Sequence, residues 1–156
     1  YAFKNHQVLI RALFQLKQPS IALYLTLKED NHPQLTALIN SLGLSSQVYF
    51  LGPLSYAEVL TYYQSCTLVV FPSTIESFGL PLVECAMFGK PLVVVDAPYA
   101  HEVIGDYPKA IFASENNPLE WKSGVLAAIA LAHDETPYHP SYDTDWSDVF
   151  KVIYRD

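Results

Sequence analysis

The sequence predicts an α/β fold, a parallel sheet with helices on both faces. Two runs, Cys66 to Pro72 and Pro91 to Asp96, are almost uninterruptedly apolar, as strands buried on both faces of a parallel sheet are. Helically spaced apolar segments alternate with such runs along most of the chain, which calls for parallel pairing through right-handed crossovers. Proline, glycine and capping residues stand at the junctions between them.

At 156 residues the chain is one domain with enough apolar surface for a core, since 51% of its residues are hydrophobic and 16% charged. That balance excludes a disordered chain. A net charge of −7 without a Lys/Arg cluster excludes a nucleic-acid groove. No apolar run exceeds about eight residues, too short to span a bilayer. Cys66, read in a strand, and Cys85, read in a helix, have no CxxC or histidine pattern around them, so they read as reduced core thiols of a cytosolic protein.

Taken in order, Gln7 to Leu16 carries Val8, Leu9, Ala12, Leu13 and Leu16 at helical spacing, with Asn5 as N-cap. An α/β domain needs a strand before this helix; it is missing or begins outside this sequence, so the chain reads as an excised domain or a truncated one. Ile21 to Leu27 is a strand. Leu35 to Leu42 is a short helix closed by Gly43. Val48 to Leu51 is a strand that turns at Gly52-Pro53-Leu54. Ser55 and Glu58 form a capping box for the next helix, which Val59, Leu60 and Tyr63 dock on the sheet. The strand at 66–72 and a helix from Leu82 to Phe88 follow. Next come the strand at 91–96, a short helix near His101 to Asp106, and a strand at Ala110 to Ala113. Asn117-Pro118 opens a helix to about Ala132, with Glu120 in its acidic first turn. Residues 134–156 read as an extended, proline- and tyrosine-rich crossing and a final helix marked by Trp146, Val149, Phe150 and Ile153.

The chemistry centres on Ile75 to Glu84, a strand-to-helix connection where ligands of open α/β sheets bind. Gly79 permits close backbone approach, and the helix behind it, with Pro81 in its first turn, presents orphan N–H groups that suit a phosphate or diphosphate. Glu76 and Glu84, flanking that site, are acceptors. They suit hydroxyls on the groups attached to the phosphate, a hexose on one side and a ribose on the other. Singly, Glu84 reads as a helix-dipole partner and Glu76 as solvated loop. The whole string reads as a site.

These residues resemble a known family. Glu76-Ser-Phe-Gly-Leu-Pro-Leu-Val-Glu84 is similar to the E-x7-E motif of the family 4, or group 1, retaining glycosyltransferases of the GT-B fold. Val70-Phe71-Pro72-Ser73 before it and Glu84 to Pro91 after it agree, as do Lys4-Asn5-His6, Phe50-Leu51-Gly52 and Glu102-Val103-Ile104-Gly105-Asp106. The resemblance covers nearly the whole chain. It implies a Rossmann-like, doubly wound domain, the C-terminal half of the enzyme, with the acceptor-binding N-terminal domain absent.

The resemblance further implies a metal-independent, retaining hexosyltransferase that uses a UDP- or GDP-sugar and no cofactor. Lys4 and the backbone at Ser77, Phe78, Gly79 and Leu80 would hold the diphosphate, Glu76 the hexose and Glu84 the ribose. Gly52, Pro53 and Leu54 would lie near the base. The acceptor, a carbohydrate or lipid-linked group, would come through the missing half. The isolated chain is therefore expected to bind nucleotide weakly and to transfer nothing. The expected setting is cytoplasmic, in polysaccharide or glycolipid synthesis, with peripheral association at the inner membrane face open to the full-length enzyme.

Three departures from the family pattern stand out. No arginine lies just upstream of Lys4, because the sequence starts too late or the protein lacks it; Lys28 to Pro33 replaces a glycine-containing turn, and His101 replaces a proline. The rival readings are another GT-B enzyme, such as a sugar-nucleotide epimerase or a phosphorylase, and a non-catalytic nucleotide-binding or interaction module. Asp143-Thr144-Asp145 could suggest a metal site, but it stands in a polar tail and reads better as a cap before Trp146. His6 reads as a helix-start surface residue within reach of the ligand. Ser73 and Ser77 lack the pattern of a hydrolase nucleophile.

Overall fold

The computed structural model describes residues 2–133; the tail string Asp143-Thr144-Asp145 and the Trp146 helix lie outside them. The α/β expectation is met. Among the described residues five strands and six α-helices alternate: α1 (His6–Leu16), β1 (Leu23–Leu25), α2 (Pro33–Ser41), β2 (Val48–Phe50), α3 (Tyr56–Ser65), β3 (Val69–Phe71), α4 (Leu80–Met87), β4 (Leu92–Val95), α5 (Pro98–Ile104), β5 (Ala110–Ala113) and α6 (Pro118–Leu131). Every pairing is parallel, but the strands fall into two sheets, β1-β2 and β3-β4-β5. Leu23 lies opposite Val48, Val69 opposite Leu92, and Leu92 opposite Ala110.

Burial separates the two long apolar runs. All four residues of β4 are buried, whereas Val69, Val70 and Phe71 of β3 are only half-buried. The expectation that both strands are covered on both faces thus holds for β4 alone. β3 bonds to β4 on one side only, and Val70 and Phe71 line a cleft. α6 lies tightly over the three-stranded sheet because Gly124 has no side chain; a Cβ there would stand 2.9 Å from Val93 Cγ1. α4 also touches β4, and α1 buries Val8, Leu9, Ile10, Ala12, Leu13 and Leu16 while contacting α6 and α2.

Local signals account for several boundaries. Ser55 and Glu58 make both bonds of the capping box, and Asn117 caps α6 by accepting from the Leu119 N–H. Gly43 ends α2 with φ +69°, the left-handed conformation that suits glycine after a helix. Asn5 does hold the N-cap position of α1, but its side chain makes no cap bond and instead donates to the Glu115 carbonyl at 2.8 Å. Cys66 is the C-cap of α3, not part of a strand, and is only half-buried, so of the two cysteines Cys85 alone lies in the core. No helix among the described residues is long and apolar enough to cross a membrane.

Candidate active site

The strand-to-helix connection after β3 is drawn tight by nonlocal bonds. The Thr74 N–H donates to the Phe3 carbonyl at 2.8 Å, joining the loop to the segment that carries Lys4. Ser73, 1% exposed, donates its hydroxyl to the Ile75 carbonyl at 3.2 Å. Gly79 takes φ +83° and is the N-cap of α4, where a Cβ would lie 3.2 Å from Leu82 Cδ1. Ser77 and Phe78 are exposed just ahead of the helix, whose first N–H groups have no intrahelical acceptor.

Lys4 reaches across to this loop. Its Nζ stands 2.5 Å from Glu76 Oε1, and both side chains are partly covered. The two face a cleft of about 1330 Å³ that Ser77, Phe78, Gly79 and Leu80 also line. Leu25 to Leu27 at the end of β1 and Asn31 to Leu35 at the start of α2 line it as well. The structure thus brings together Lys4, Glu76 and residues 77–80 from distant parts of the chain. Glu84 and the turn Gly52-Pro53-Leu54 are not among the cleft's lining residues.

Glu84 sits deeper. It is 6% exposed, and Tyr63 donates its hydroxyl to Glu84 Oε2 at 3.1 Å. Burial and then the Glu84 charge hold the Tyr63 hydroxyl well above the usual tyrosine range, so it remains a donor. The charge of Glu84 also contributes, after burial, to raising Tyr56. Because α4 begins at Leu80, two residues earlier than the apolar spacing predicts, Glu84 falls beyond the first helical turn. It is therefore less a partner for the helix dipole than its place in the sequence suggests. Gly52 takes φ +73°, and its N–H donates to the Leu27 carbonyl at 3.0 Å, which ties the turn after β2 to the end of β1.

The sequence places His6 within reach of the ligand and marks residues 28–33 as a departure, but the fold of that segment, the burial of His6 and the reach of Tyr99 escape it. Lys28 to Pro33, where the family has a glycine turn, forms a short 3-10 helix at Glu29–Asn31 and puts Asn31 and His32 into the wall. His6 lies in the same cleft as a half-buried residue, not a solvated one. Burial, helped by the nearby His32 and Lys4 charges, lowers its pKa to about 4, so it is a neutral imidazole at pH 7. Tyr99 of α5 reaches back to the loop, donating to the Ser73 carbonyl at 2.5 Å. His101, at the family's proline position, bonds Asp96 at 2.6 Å and stacks on Phe112 at 3.9 Å. It is not among the residues that line the cleft. No cluster of three or more metal-ligating side chains occurs among the described residues.

Comparisons with known proteins agree with this architecture. The family described as glycosyl transferases group 1 matches residues 2–138. The O-antigen chain mannosyltransferase RfbU of Salmonella typhimurium is 29% identical over 98 residues, 63% of this chain and 27% of that protein. The D-inositol 3-phosphate glycosyltransferase of Arthrobacter sp. is 28% identical over 159 residues, 98% of this chain and 32% of that one. The chain thus spans about a third or less of the curated relatives it matches.

Among solved structures, Anabaena Alr3699/HepE in complex with UDP superposes with a TM-score of 0.70 at 25% identity, covering 88% of this chain and 42% of that one. The catalytic domain of the Helicobacter pylori cholesterol-alpha-glucosyltransferase gives 0.67 at 23% identity, covering 83% and 85%. Family match and fold lead to one assignment: the chain belongs to the group 1 glycosyltransferases and has the fold of the C-terminal domain of a GT-B enzyme.

Proposed function

We propose that this domain binds a UDP- or GDP-sugar and, joined to an acceptor-binding half, transfers the sugar with retention of configuration and without a metal. The observation that carries the proposal is the meeting of Lys4 with Glu76 beside residues 77–80 in one cleft. As the bond from the anomeric carbon to the diphosphate breaks, negative charge grows on the leaving oxygen. The Lys4 ammonium and backbone N–H groups at Phe78 to Leu80 are the donors that stabilise it. Glu76, on the same wall, accepts from hexose hydroxyls and sets the orientation of the ring. The acceptor hydroxyl bonds to the anomeric carbon on the face the diphosphate leaves and gives its proton to the departing phosphate oxygen. One carboxylate near the sugar suits that course better than the paired carboxylates of glycosidases.

In the same proposal Glu84 takes the ribose hydroxyls. A carboxylate has room for about four hydrogen bonds, so the Tyr63 bond is compatible with that role and fixes the group's orientation. The turn Gly52-Pro53-Leu54 is assigned to the base. UDP in the Anabaena protein supports a nucleoside diphosphate as ligand. The mannosyl- and glucosyltransferases among the relatives support a hexose. The acceptor class, a carbohydrate or a lipid-linked group, belongs to the other half.

The test is transfer from UDP-glucose or GDP-mannose by the chain joined to its acceptor-binding half. Transfer should be measurable and should fall roughly a hundredfold or more in Glu76→Ala, the scale of a lost orienting contact. Absence of transfer with an intact fold would favour a binding module.

A further inference from the structure

We propose that Tyr99 is a positioning residue that braces the Glu76 loop for sugar binding. The inference rests on the reading of Glu76 as the hexose contact. Tyr99 lies outside the cleft lining, on α5, in the βα unit after the one that carries the loop. It bonds one end of the loop and stands close beside the other. Its hydroxyl donates to the Ser73 carbonyl at 2.5 Å, and its ring Cε2 stands 3.4 Å from where a Gly79 Cβ would be. Glu76, Ser77 and Phe78 lie between those two points.

The loop on the Ser73 side is already folded on itself by the bond from Ser73 Oγ to the Ile75 carbonyl. Tyr99 anchors that folded piece to a neighbouring helix and limits how far Gly79 can swing. Burial, with the Glu76 charge as the lesser cause, raises the Tyr99 hydroxyl to about 12, so it keeps its proton and its donor role at neutral pH. A loop that must be re-ordered when sugar binds spends part of the binding energy on ordering, and a braced loop does not.

Tyr99→Phe keeps the ring and removes the donor. Tyr107→Phe is the control, because it deletes a like bond, from a buried hydroxyl to the Lys90 carbonyl at 2.9 Å, away from the cleft lining. Calorimetry on the 156-residue chain would compare UDP, GDP, UDP-glucose and GDP-mannose across wild type, both tyrosine variants and Glu76→Ala. Tyr99→Phe should weaken whichever nucleotide sugar wild type binds about fivefold, the scale of one neutral hydrogen bond, and leave nucleoside diphosphate affinity within about twofold. Tyr107→Phe should lower the melting temperature without separating the two affinities.

Amide hydrogen exchange without ligand gives a second readout, in which Tyr99→Phe should speed exchange at 76–78 selectively and Tyr107→Phe should not. Unchanged nucleotide-sugar affinity in Tyr99→Phe, alongside weakening in Glu76→Ala, would overturn the bracing role. So would uniform acceleration of exchange. If Glu76→Ala leaves nucleotide-sugar affinity intact, or none of the four ligands binds wild type, the reading of Glu76 fails, and the exchange pattern alone still decides whether Tyr99 braces the loop.

Discussion

Lys4 and Glu76, 72 positions apart in the sequence, meet with Lys4 Nζ at 2.5 Å from Glu76 Oε1. The lysine side chain is 38% exposed and the glutamate 17%, so water screens part of their attraction. The importance of the pair is positional: it brings a cation and a carboxylate to the same wall of the cleft, one suited to a phosphate and the other to a hydroxyl.

The two glutamates should separate in binding experiments. If Glu84 holds the ribose, Glu84→Ala should weaken UDP or GDP roughly tenfold or more, since a hydroxyl bond to a charged acceptor is worth about 1.5–3 kcal/mol. Glu76→Ala should leave nucleoside diphosphate affinity within about twofold, because its partner is the sugar. Glu84→Ala also orphans the buried Tyr63 hydroxyl, so circular dichroism must show each variant folded. Equal losses from both substitutions would refute the division of roles.

His6 should make stability depend on pH. Its pKa is about 4 in the fold against 6.5 for an ordinary histidine. Between those values the unfolded chain binds more protons than the folded one. The contribution of His6 is therefore complete above about pH 6.5 and is lost as pH falls toward 4, with a slope of at most about 1.4 kcal/mol per pH unit. Glu58 and Glu120, both lowered, push stability in the same direction in any variant. Urea unfolding at pH 7 and pH 4.5 should therefore show a smaller difference in His6→Asn than in wild type. Equal differences would mean that His6 is solvated.

Gly124→Ala should destabilise the fold although alanine is the better helix former. The added Cβ would meet Val93 Cγ1 at 2.9 Å and Ile111 Cγ2 at 3.3 Å, forcing α6 away from the sheet. Overpacking of this kind costs about 1–3 kcal/mol, against a gain of about 1 from propensity. Thermal unfolding would register a lower midpoint; a higher one would mean that α6 has slack.

What was legible in the sequence is what local chemistry decides. Ser55 with Glu58 and Asn117 with Pro118 mark helix starts through bonds made within a few residues. The apolar run at Leu92 to Val95 is a strand buried on both faces, as its composition predicts. The run at Val69 to Phe71 has the same composition and is half-buried, because burial depends on neighbours that the run itself does not encode.

The candidate site divides along the same line. The spacing from Glu76 to Glu84 is visible in one dimension, but the depth of Glu84 depends on Tyr63 from another helix. The bracing by Tyr99, the closeness of His6 to His32 and the place of Asn31 in the cleft wall are likewise nonlocal, and no spacing rule announces them.

The most direct test of the account is calorimetric titration of UDP and GDP into the 156-residue chain and its Lys4→Ala variant. Weak but measurable binding of at least one of them is expected, reduced roughly tenfold or more when the Lys4 cation is removed, the scale of a lost charge-assisted bond. Binding by Lys4→Ala as tight as wild type, or no binding of either nucleotide by a folded wild-type chain, would contradict it.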